Sequence, residues 1–272
     1  SARGYSKLGA LSRSMLGQLR FIACQYSDHA ERFLALGASP ERVGVLGSVK
    51  FDVSLPADHA HRVETLREQW GIEKRPVWIA GSTHPGEEEV VLAAHGRLKA
   101  RFPDLLLILV PRHPERRAEV GALIDAAGFS QAWMSAVQAP AGRDVVLGDT
   151  MGELLYLYGL SQVAFLGGSL VSVGGHNPIE AAVCRVPIVM GPETFNFPDV
   201  VAAFAEAGCL HLITDAASLA DRVADYLEDE ARRQAAGAAA AEVVRVNMGA
   251  TDRLLELLSA EVRAAAGLPL PG

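Results

Sequence analysis

The chain has few of the features that mark disulfide-bonded, zinc-binding or membrane-spanning proteins. It contains three cysteines in 272 residues, widely separated and without zinc-site spacing, which favours buried, reduced thiols. Its longest apolar runs are too short to cross a bilayer. No signal-peptide pattern opens the sequence. The first residue is Ser1 rather than Met, so we expect a fragment or a processed product.

An excess of basic charge and two common phosphate motifs are also missing. The formal net charge is −7 and the pI is near 5.6, which argues against a general nucleic-acid binder, because such proteins carry a basic patch. There is no Gly-x-x-x-x-Gly-Lys-Ser/Thr loop, which argues against a phosphate-hydrolysing P-loop. No Asp-x-Asp pair is placed to hold a metal-bound diphosphate. We therefore expect a nucleotide ligand neutralised by arginine and backbone groups, with no metal and no cofactor.

The sequence instead has a regular alternation of short apolar runs and helical patterns. Continuous apolar runs predict strands of a parallel sheet covered on both faces by helices, an α/β fold of the Rossmann-like type. Hydrophobic residues make up 50% of the chain, enough for a sizeable core. The predicted strands of this sheet cover residues 77–80, 105–110, 145–147, 163–166, 187–190 and 211–213.

Polar residues recur where these strands end. In parallel α/β sheets, ligands bind beyond the carboxyl ends of the strands. Side chains at several strand ends should therefore meet in one site. The polar strand-end segments are 82–84, 112–113, 152–153, 167–180 and 194–196.

The segment from Gly148 to Glu180 carries the main hypothesis. Thr150 and Glu153 have the spacing of a capping box, as do Asn177 and Glu180. The proline after Asn177 suits the first position of a helix capped by that asparagine. A glycine-rich strand end that leads into a helix N-terminus predicts free N–H groups pointing at a nucleotide phosphate.

Several side chains in this region leave two interpretations open. Arg112 either pairs with Glu115 or contacts a phosphate or carboxylate, and its strand-end position favours the anion. His84 and His176 are either hydrogen-bonded loop histidines or ligand contacts. Each alternative is decided by the partners that these side chains have in the structure.

The acidic residues and nearby arginines divide in the same way. Glu180 is either only the capping-box partner of Asn177 or a ligand of ribose hydroxyls. A carboxylate offers two acceptors, which favours the ribose, and the two roles do not exclude each other. Glu153 is expected to be a structural cap. The acids 87–89 are expected to form a solvated face at a helix start, and Arg116 and Arg117 to be solvated.

Seven stretches in order resemble the 3-deoxy-D-manno-octulosonic acid (Kdo) transferases of lipopolysaccharide synthesis. The resemblance implies the C-terminal, donor-binding half of a GT-B glycosyltransferase, with CMP-Kdo as donor and the lipid A precursor as acceptor. The family works at the cytoplasmic face of the bacterial inner membrane. The seven stretches are Gly47-Ser48-Val49-Lys50-Phe51-Asp52, Gly81 to Glu87, Pro111 to Arg116, Gly148 to Leu154, Gly167-Gly168-Ser169, Gly174 to Glu180, and Gly191 to Phe197.

This resemblance also implies a division of labour. Residues 1–46 would be a remnant of the N-terminal domain and linker, 47–249 the Rossmann-like donor-binding domain, and 250–272 a C-terminal helix and tail. The general base, the acceptor surface and peripheral membrane attachment would belong to the missing half. The fragment alone would then be soluble, inactive and prone to self-association. The alternatives are a non-catalytic nucleotide-binding module and the donor half of a GT-B enzyme that uses a UDP-sugar.

The expected substrate contacts come from the resemblance and from the strand-end positions. No catalytic residue and no metal ligand is expected in this chain. The resemblance implies contacts to CMP from Pro111, Arg112, Met151, Gly152, Glu153, Asn177, Pro178, Ile179 and Glu180. The strand-end loops add Ser82, Thr83, His84, His113, Gly168, Ser169, Gly174 and His176.

Overall fold

The chain forms two units. The structure is a computed structural model and describes residues 9–136 and 141–266. Contacts group residues 1–53 with 245–272 in one unit and residues 54–244 in the other. The domain limits expected from the sequence, 46/47 and 249/250, differ from these boundaries by seven and five residues and stay a prediction.

The smaller unit is built on two short parallel strands. Ile22, Cys24 and Ala38 form a small buried core. Asp52 accepts hydrogen bonds from the backbone N–H groups of Gly249 and Thr251 at 2.6 Å each, which ties it to the last helix. The elements of this unit are α1 (Gly9–Gly17), β1 (Ile22–Cys24), α2 (Ser27–Ala35), β2 (Val43–Val45) and the C-terminal helix Ala250–Ala266.

The larger unit carries a seven-stranded parallel sheet. The strand order is β5-β6-β4-β3-β7-β8-β9, and every neighbouring pair is parallel. The predicted α/β class is confirmed. The strands are β3 (Val77–Thr83), β4 (Leu106–Pro111), β5 (Gln131–Trp133), β6 (Val145–Leu147), β7 (Val163–Leu166), β8 (Ile188–Met190) and β9 (Leu210–Leu212).

Helices cover this sheet and exclude water from it. Every residue of β4, β6, β7 and β8 is buried, which explains why these strands are continuous apolar runs rather than alternating ones. The helices are α3 (His59–Trp70), α4 (Glu87–Lys99), α5 (Arg117–Ala126), α6 (Leu154–Leu160), α7 (Ile179–Val183), α8 (Pro198–Glu206), α9 (Ala216–Glu228) and α10 (Glu230–Asn247).

The topology places a crevice between β3 and β7, which are neighbours at the middle of the sheet. From β3 the chain continues to β4 on one side, whereas from β7 it continues to β8 and β9 on the other. Such a change of direction is the switch point at which open α/β sheets bind ligands. The loops after β3 and β7 therefore flank the expected ligand crevice.

The two capping boxes expected between Gly148 and Glu180 are wrong. Helix α6 starts at Leu154 with no side-chain cap, and the Thr150 hydroxyl contacts the sulfur of Met134 at 3.3 Å instead. Asn177 Oδ1 accepts the N–H of Ile179 at 3.1 Å, so helix α7 begins one residue later than expected. Within the described residues, Glu180 makes no return bond to Asn177.

Candidate functional site

Strand β3 ends in a strained turn that leads into His84. Its register against β4 shifts between Gly81 and Thr83. Ser82, between them, has a φ of 58°, which residues with a side chain adopt rarely. Backbone strain of this kind is concentrated at functional sites and persists only where the surrounding structure holds it in place. The neighbouring loop shows what holds it here.

The end of β7 approaches this turn so closely that only glycine fits. A Cβ on Gly167 would lie 2.3 Å from the backbone oxygen of Ser82. Gly167 donates its N–H to the Gly81 carbonyl at 2.9 Å. Further along the loop, Gly175 and His176 donate back to the carbonyls of Gly168 and Gly167. The two strand ends thus form one continuous backbone surface.

A buried carboxylate joins the two loops. Glu87, the first residue of α4, has no exposed surface. Its Oε2 accepts the N–H of His84 at 2.9 Å and that of Gly168 at 2.6 Å. Its Oε1 accepts the N–H of Ser169 at 3.0 Å and that of Leu170 at 2.9 Å. We call this carboxylate with its four backbone donors the Glu87 seat.

The Glu87 seat corrects two expectations. Glu87 and Glu88 are completely buried rather than part of a solvated face, and only Glu89 of the three acids is exposed. The N–H groups of Gly168 and Ser169 are also not free for a phosphate, because Glu87 accepts them. The Ser169 hydroxyl is occupied too, donating to the Leu166 carbonyl and accepting the N–H of Gly191 at 2.7 Å. The backbone N–H groups of Gly168 and Ser169 thus bind the carboxylate of Glu87 and not a ligand phosphate.

Three histidines gather beside this seat. His84 Nε2 and His176 Nε2 are 2.9 Å apart, and the two rings are nearly parallel, with 5.1 Å between centroids. The ring of His113 meets that of His84 edge-on, with centroids 5.9 Å apart. Gly168 allows this arrangement, since a Cβ there would lie 3.2 Å from the His176 ring. We call His84 and His176 the histidine pair.

Burial keeps this pair uncharged. The pKa of His176 is lowered to about 4, mainly by burial and to a smaller extent by the neighbouring His84, Arg112 and His113. Burial also lowers the pKa of His84. A short contact between two neutral rings requires one to donate its Nε2 proton and the other to accept. The pair is therefore bridged by one proton and electrically neutral near pH 7.

Arg112 extends from the end of β4 next to these histidines. Its backbone N–H donates to the Thr83 carbonyl at 2.9 Å, which ties it to the end of β3. The side chain is exposed. Glu115 lies 3.5 Å from His113 rather than beside Arg112. Within residues 9–136 and 141–266, the Arg112 guanidinium makes no ion pair or hydrogen bond, so it remains available to an external anion.

Arg116, by contrast, is a structural residue. Its guanidinium lies 2.7 Å from the buried Glu88 and 2.6 Å from Glu119, and only 12% of its side chain is exposed. The expectation that it is solvated is wrong. Arg117 is exposed, as expected, but it also lies over the ring of Trp133 and 3.6 Å from Asp149.

The loop before α6 combines an exposed tip with an anchored base. Met151 is 74% exposed, and Gly152 follows it with a φ of 80°. Glu153 accepts two hydrogen bonds from Arg62 of α3, at 2.7 and 2.6 Å, and Arg62 lies 4.1 Å from the centre of the Tyr156 ring. The loop is therefore held by an ion pair and not by the cap expected at Glu153.

Helix α7 presents a carboxylate without a partner. Glu180 is half-buried, and burial raises its pKa. None of the described residues donates a hydrogen bond to this carboxylate or pairs with it. Pro178 and Ile179 are buried, and the N–H of Ile179 already bonds to Asn177. Of the four residues expected here, Glu180 is the one that carries a charge, and that charge has no partner within the described residues. Helices α6 and α7 pack together. Glu180, on α7, therefore lies on a helix that packs against the one following the Met151 loop.

The other expected contacts have structural surroundings. Thr83 is fully buried, and its hydroxyl has no hydrogen-bond partner among the described residues. Gly174 is buried with a φ of 100°, packed against Phe195 and Asn196. Pro111 is the buried last residue of β4. In the part of the chain that is described, no group of three or more histidine, cysteine or acidic residues could hold a metal ion. No helix there is long and apolar enough to cross a membrane.

The chain is similar to known glycosyltransferases in sequence and in fold. Residues 1–53 match the family described as 3-Deoxy-D-manno-octulosonic-acid transferase (kdotransferase), and residues 88–243 match Glycosyl transferases group 1. The solved C-terminal CMP-Kdo binding domain of WaaA from Acinetobacter baumannii is 35% identical, with a TM-score of 0.66, and the match covers 70% of this chain and 99% of that domain.

The chain belongs to the Kdo transferase family.

Two relatives show how far this membership extends. A 3-deoxy-D-manno-octulosonic acid transferase of Haemophilus influenzae is 40% identical over 95% of this chain and 61% of its own length. That of Bordetella pertussis is 37% identical over 95% of this chain and 60% of its own length. The chain therefore spans about three fifths of these Kdo transferases. Anabaena HepE, with a TM-score of 0.54 at 14% identity, covers 96% of this chain and 67% of its own and shares the fold.

Sequence reasoning missed Glu87 and Arg62 in this candidate site. The spacing of His84 and Glu87 does contain a signal, because a glutamate three residues after a turn residue can bond back to that residue's N–H. No comparable signal marks Arg62, since its partner Glu153 is 91 residues away in sequence.

Proposed function

We propose that this chain forms the donor-binding half of a Kdo transferase and binds CMP-Kdo. The observation that carries this is the match to the CMP-Kdo binding domain of WaaA, which is covered over 99% of its length at 35% identity. The switch-point geometry supports it, because an exposed arginine and a half-buried carboxylate follow strands at the same edge of the sheet.

In this proposal the nucleotide phosphate is bound by a side chain. Glu87 already accepts the backbone N–H groups after β7. The phosphate therefore needs a different donor, such as a cationic side chain. Arg112 has a free guanidinium whose planar fork suits phosphate oxygens. Pro111, Met151, Gly152, Glu153, Asn177, Pro178 and Ile179 are proposed to contact the same CMP.

Glu180 is proposed to bind the ribose. A carboxylate accepts hydrogen bonds from two vicinal hydroxyls at once. Glu180 is half-buried and unpaired within the described residues, which is costly unless a ligand supplies donors. A ribose placed here would satisfy both oxygens.

The reaction proposed for the whole protein is displacement with inversion, without a metal. A hydroxyl oxygen of the lipid A precursor forms a bond to the anomeric carbon of Kdo while the bond from that carbon to the phosphate oxygen of CMP breaks. A base outside this chain takes the hydroxyl proton. Arg112 stabilises the negative charge that develops on the CMP leaving group.

The acceptor and the cellular site belong to the same proposal. The lipid A precursor and peripheral association with the cytoplasmic face of the inner membrane are assigned to the half that this chain does not contain. Apolar side chains of the smaller unit, such as Leu11, Met15 and Leu19, are about half exposed. Such a patch favours self-association of this chain when it is isolated.

Calorimetric titration with CMP, CDP and UDP tests the donor assignment. We expect CMP to bind more tightly than UDP, with no change after dialysis against EDTA. Tighter UDP binding would indicate a UDP-sugar enzyme, and loss of CMP binding in EDTA would refute metal independence.

A transfer assay tests the division of labour. The purified chain is incubated with CMP-Kdo and lipid A precursor beside a full-length Kdo transferase, and the product is followed by mass spectrometry. We expect product only from the full-length enzyme, because nothing in this chain is assigned to hold the acceptor. Product at the control's rate would place the catalytic groups within this chain. Nucleotide binding with no product even when the other half is supplied as a separate protein would favour the non-catalytic module.

A further inference from the structure

The histidine pair has no assigned role once Arg112 takes the phosphate. Its rings contact each other through Nε2 at 2.9 Å and are half-buried at the end of β3 and in the loop after β7. In each ring the other nitrogen, Nδ1, forms no hydrogen bond within the described residues. The two outer nitrogens of this donor-acceptor pair are therefore available to a ligand beside the proposed phosphate position.

The charged groups that face the pair leave it without an anionic partner. From α4, Glu87 is satisfied by four backbone N–H groups and Glu88 by Arg116. From the segment after β4, the facing groups are Arg112, His113 and Arg116. Both acids are therefore already compensated by other groups and do not pair with the histidines. A ligand carboxylate can thus approach the pair without meeting an uncompensated acid, next to the phosphate that Arg112 is proposed to bind.

We propose that the histidine pair is the subsite for the carboxylate of the donor sugar, and that it takes up one proton when this carboxylate binds. This inference rests on the proposed function. Kdo is an acid, so its CMP ester presents a carboxylate as well as a phosphodiester. One added proton places N–H groups on both nitrogens of one ring while the Nε2 contact remains a hydrogen bond. The outer N–H of that imidazolium then donates a charge-assisted bond to the carboxylate.

The pair accepts one proton and not two. A second proton would place two N–H groups face to face across the Nε2 contact and add a like charge beside Arg112. In the free protein the pair is neutral near pH 7, because burial lowers the pKa of His176 to about 4 and also lowers that of His84. A bound carboxylate favours the charged form and raises the pKa. Between the free and bound values, affinity should fall by up to roughly tenfold per pH unit.

Two matched ligands isolate the carboxylate. One is CMP esterified through its phosphate to the hydroxyl of lactate, and the other is CMP esterified to 2-propanol. Both are phosphodiesters, and they differ only in that a methyl group replaces the carboxylate. Neither titrates between pH 6 and 8, since such carboxyl groups have pKa values of about 4 or lower. Any proton exchanged on binding in that range therefore belongs to the protein.

The experiment is isothermal titration calorimetry at pH 6, 7 and 8 in buffers of different ionisation enthalpy. We expect binding of the lactate ester to take up close to one proton over part of this range and to weaken as pH rises. The isopropyl ester should bind with no proton uptake and no pH dependence. Imidazole ¹⁵N chemical shifts of the wild-type protein should report a new imidazolium in the presence of the lactate ester alone.

Variants assign the proton to the pair. His84→Asn and His176→Asn should each abolish proton uptake and bring the two esters to similar affinity. His211→Asn is the matched control, since His211 is another partly buried histidine whose pKa is lowered by burial but lies on the edge strand β9. This variant should retain proton uptake.

The possible failures are distinguishable. Equal binding of both esters without proton uptake would overturn the carboxylate subsite and leave the proposed nucleotide site intact. Binding of neither ester would overturn the proposed function and this subsite with it. If one asparagine variant does not fold, the other variant and the wild-type ¹⁵N shifts decide.

Discussion

The Glu87 seat differs in its charge partners from Arg112 and Glu180, the two side chains that we call the open edge. Both sets of residues follow strands of the same sheet. Glu87 is fully buried and accepts four backbone N–H groups. Arg112 is exposed and Glu180 half-buried, and neither side chain has a partner among the described residues. Both oxygens of Glu87 are thus already hydrogen-bonded without a ligand. The charged groups of the open edge, by contrast, can still bind one.

This difference changes how the glycine-rich strand end is understood. Consecutive backbone N–H groups after a strand form a concavity that binds anions. In this protein the concavity is filled by the chain's own carboxylate, which fixes the loops that carry His84 and His176. In the donor site that we propose, side chains would therefore hold the ligand's anions. The backbone motif typical of phosphate sites would then support a site built from arginine, glutamate and histidine.

Glu87→Gln should have the largest effect. The amide offers one acceptor oxygen, and its NH₂ group faces backbone N–H groups that need acceptors. Losing charge-assisted hydrogen bonds and leaving buried donors unsatisfied should lower the free energy of unfolding by about 3 kcal/mol. Urea denaturation followed by circular dichroism measures this.

Glu89→Gln is the control for this change, because Glu89 lies two residues further along the same helix and is exposed. It should alter stability by less than about 0.5 kcal/mol. If the two variants had the same free energy of unfolding, the buried hydrogen bonds of Glu87 would not stabilise the fold. The contrast between the Glu87 seat and the open edge would then be refuted.

Arg112→Lys should have the next largest effect, on binding rather than on folding. Lysine keeps the positive charge but loses the planar fork that bonds two phosphate oxygens. We expect CMP affinity to fall roughly tenfold, equivalent to about 1.4 kcal/mol. Titration calorimetry measures this, with the exposed helical variant Arg97→Lys as control. Unchanged affinity would exclude Arg112 from the phosphate site.

Glu180→Gln should have a smaller effect on the same measurement. Glutamine retains one acceptor oxygen for the ribose, so we expect CMP affinity to fall several-fold, by about 1 kcal/mol. Because burial raises the pKa of Glu180, the charged form is disfavoured in the free protein, and its removal should not lower the melting temperature. A variant that melts earlier and binds CMP normally would show that Glu180 is structural.

The fold could be predicted from the sequence because its strongest signal is local. Strands buried on both faces appear as unbroken apolar runs such as Val163–Leu166, and glycine and proline mark their ends. Strand β5 was missed because Gln131, Ala132 and Trp133 at the sheet edge are each only half-buried and form no apolar run. The region of the site followed from the strand ends alone.

The partners within the site could not be predicted, because they are distant in sequence. Glu87 meets Gly168 across 81 residues, and Glu153 meets Arg62 across 91. Local spacing suggested a solvated face for the first and a helix cap for the second. In both cases the carboxylate bonds to donors that are distant in sequence and not to the site that local spacing suggested. Several hydrogen-bond donors stabilise a buried or half-buried carboxylate more than a single cap does.

Thr150→Ala should have the smallest effect of these substitutions. It tests whether a helix cap holds the loop before α6, which carries Met151. Capping-box spacing predicts a stabilising bond at Thr150, whereas within the described residues its hydroxyl bonds to the sulfur of Met134, a weak acceptor. We expect the free energy of unfolding to change by less than about 0.5 kcal/mol. Asp215→Ala is the matched comparison, because Asp215 and Ser218 form a complete capping box at the start of α9, and it should be clearly more destabilising. If Thr150→Ala is instead as costly as Asp215→Ala, the loop before α6 depends on a cap after all. The anchoring assigned to Arg62 and Glu153 would then be insufficient to hold the Met151 loop at the edge of the site.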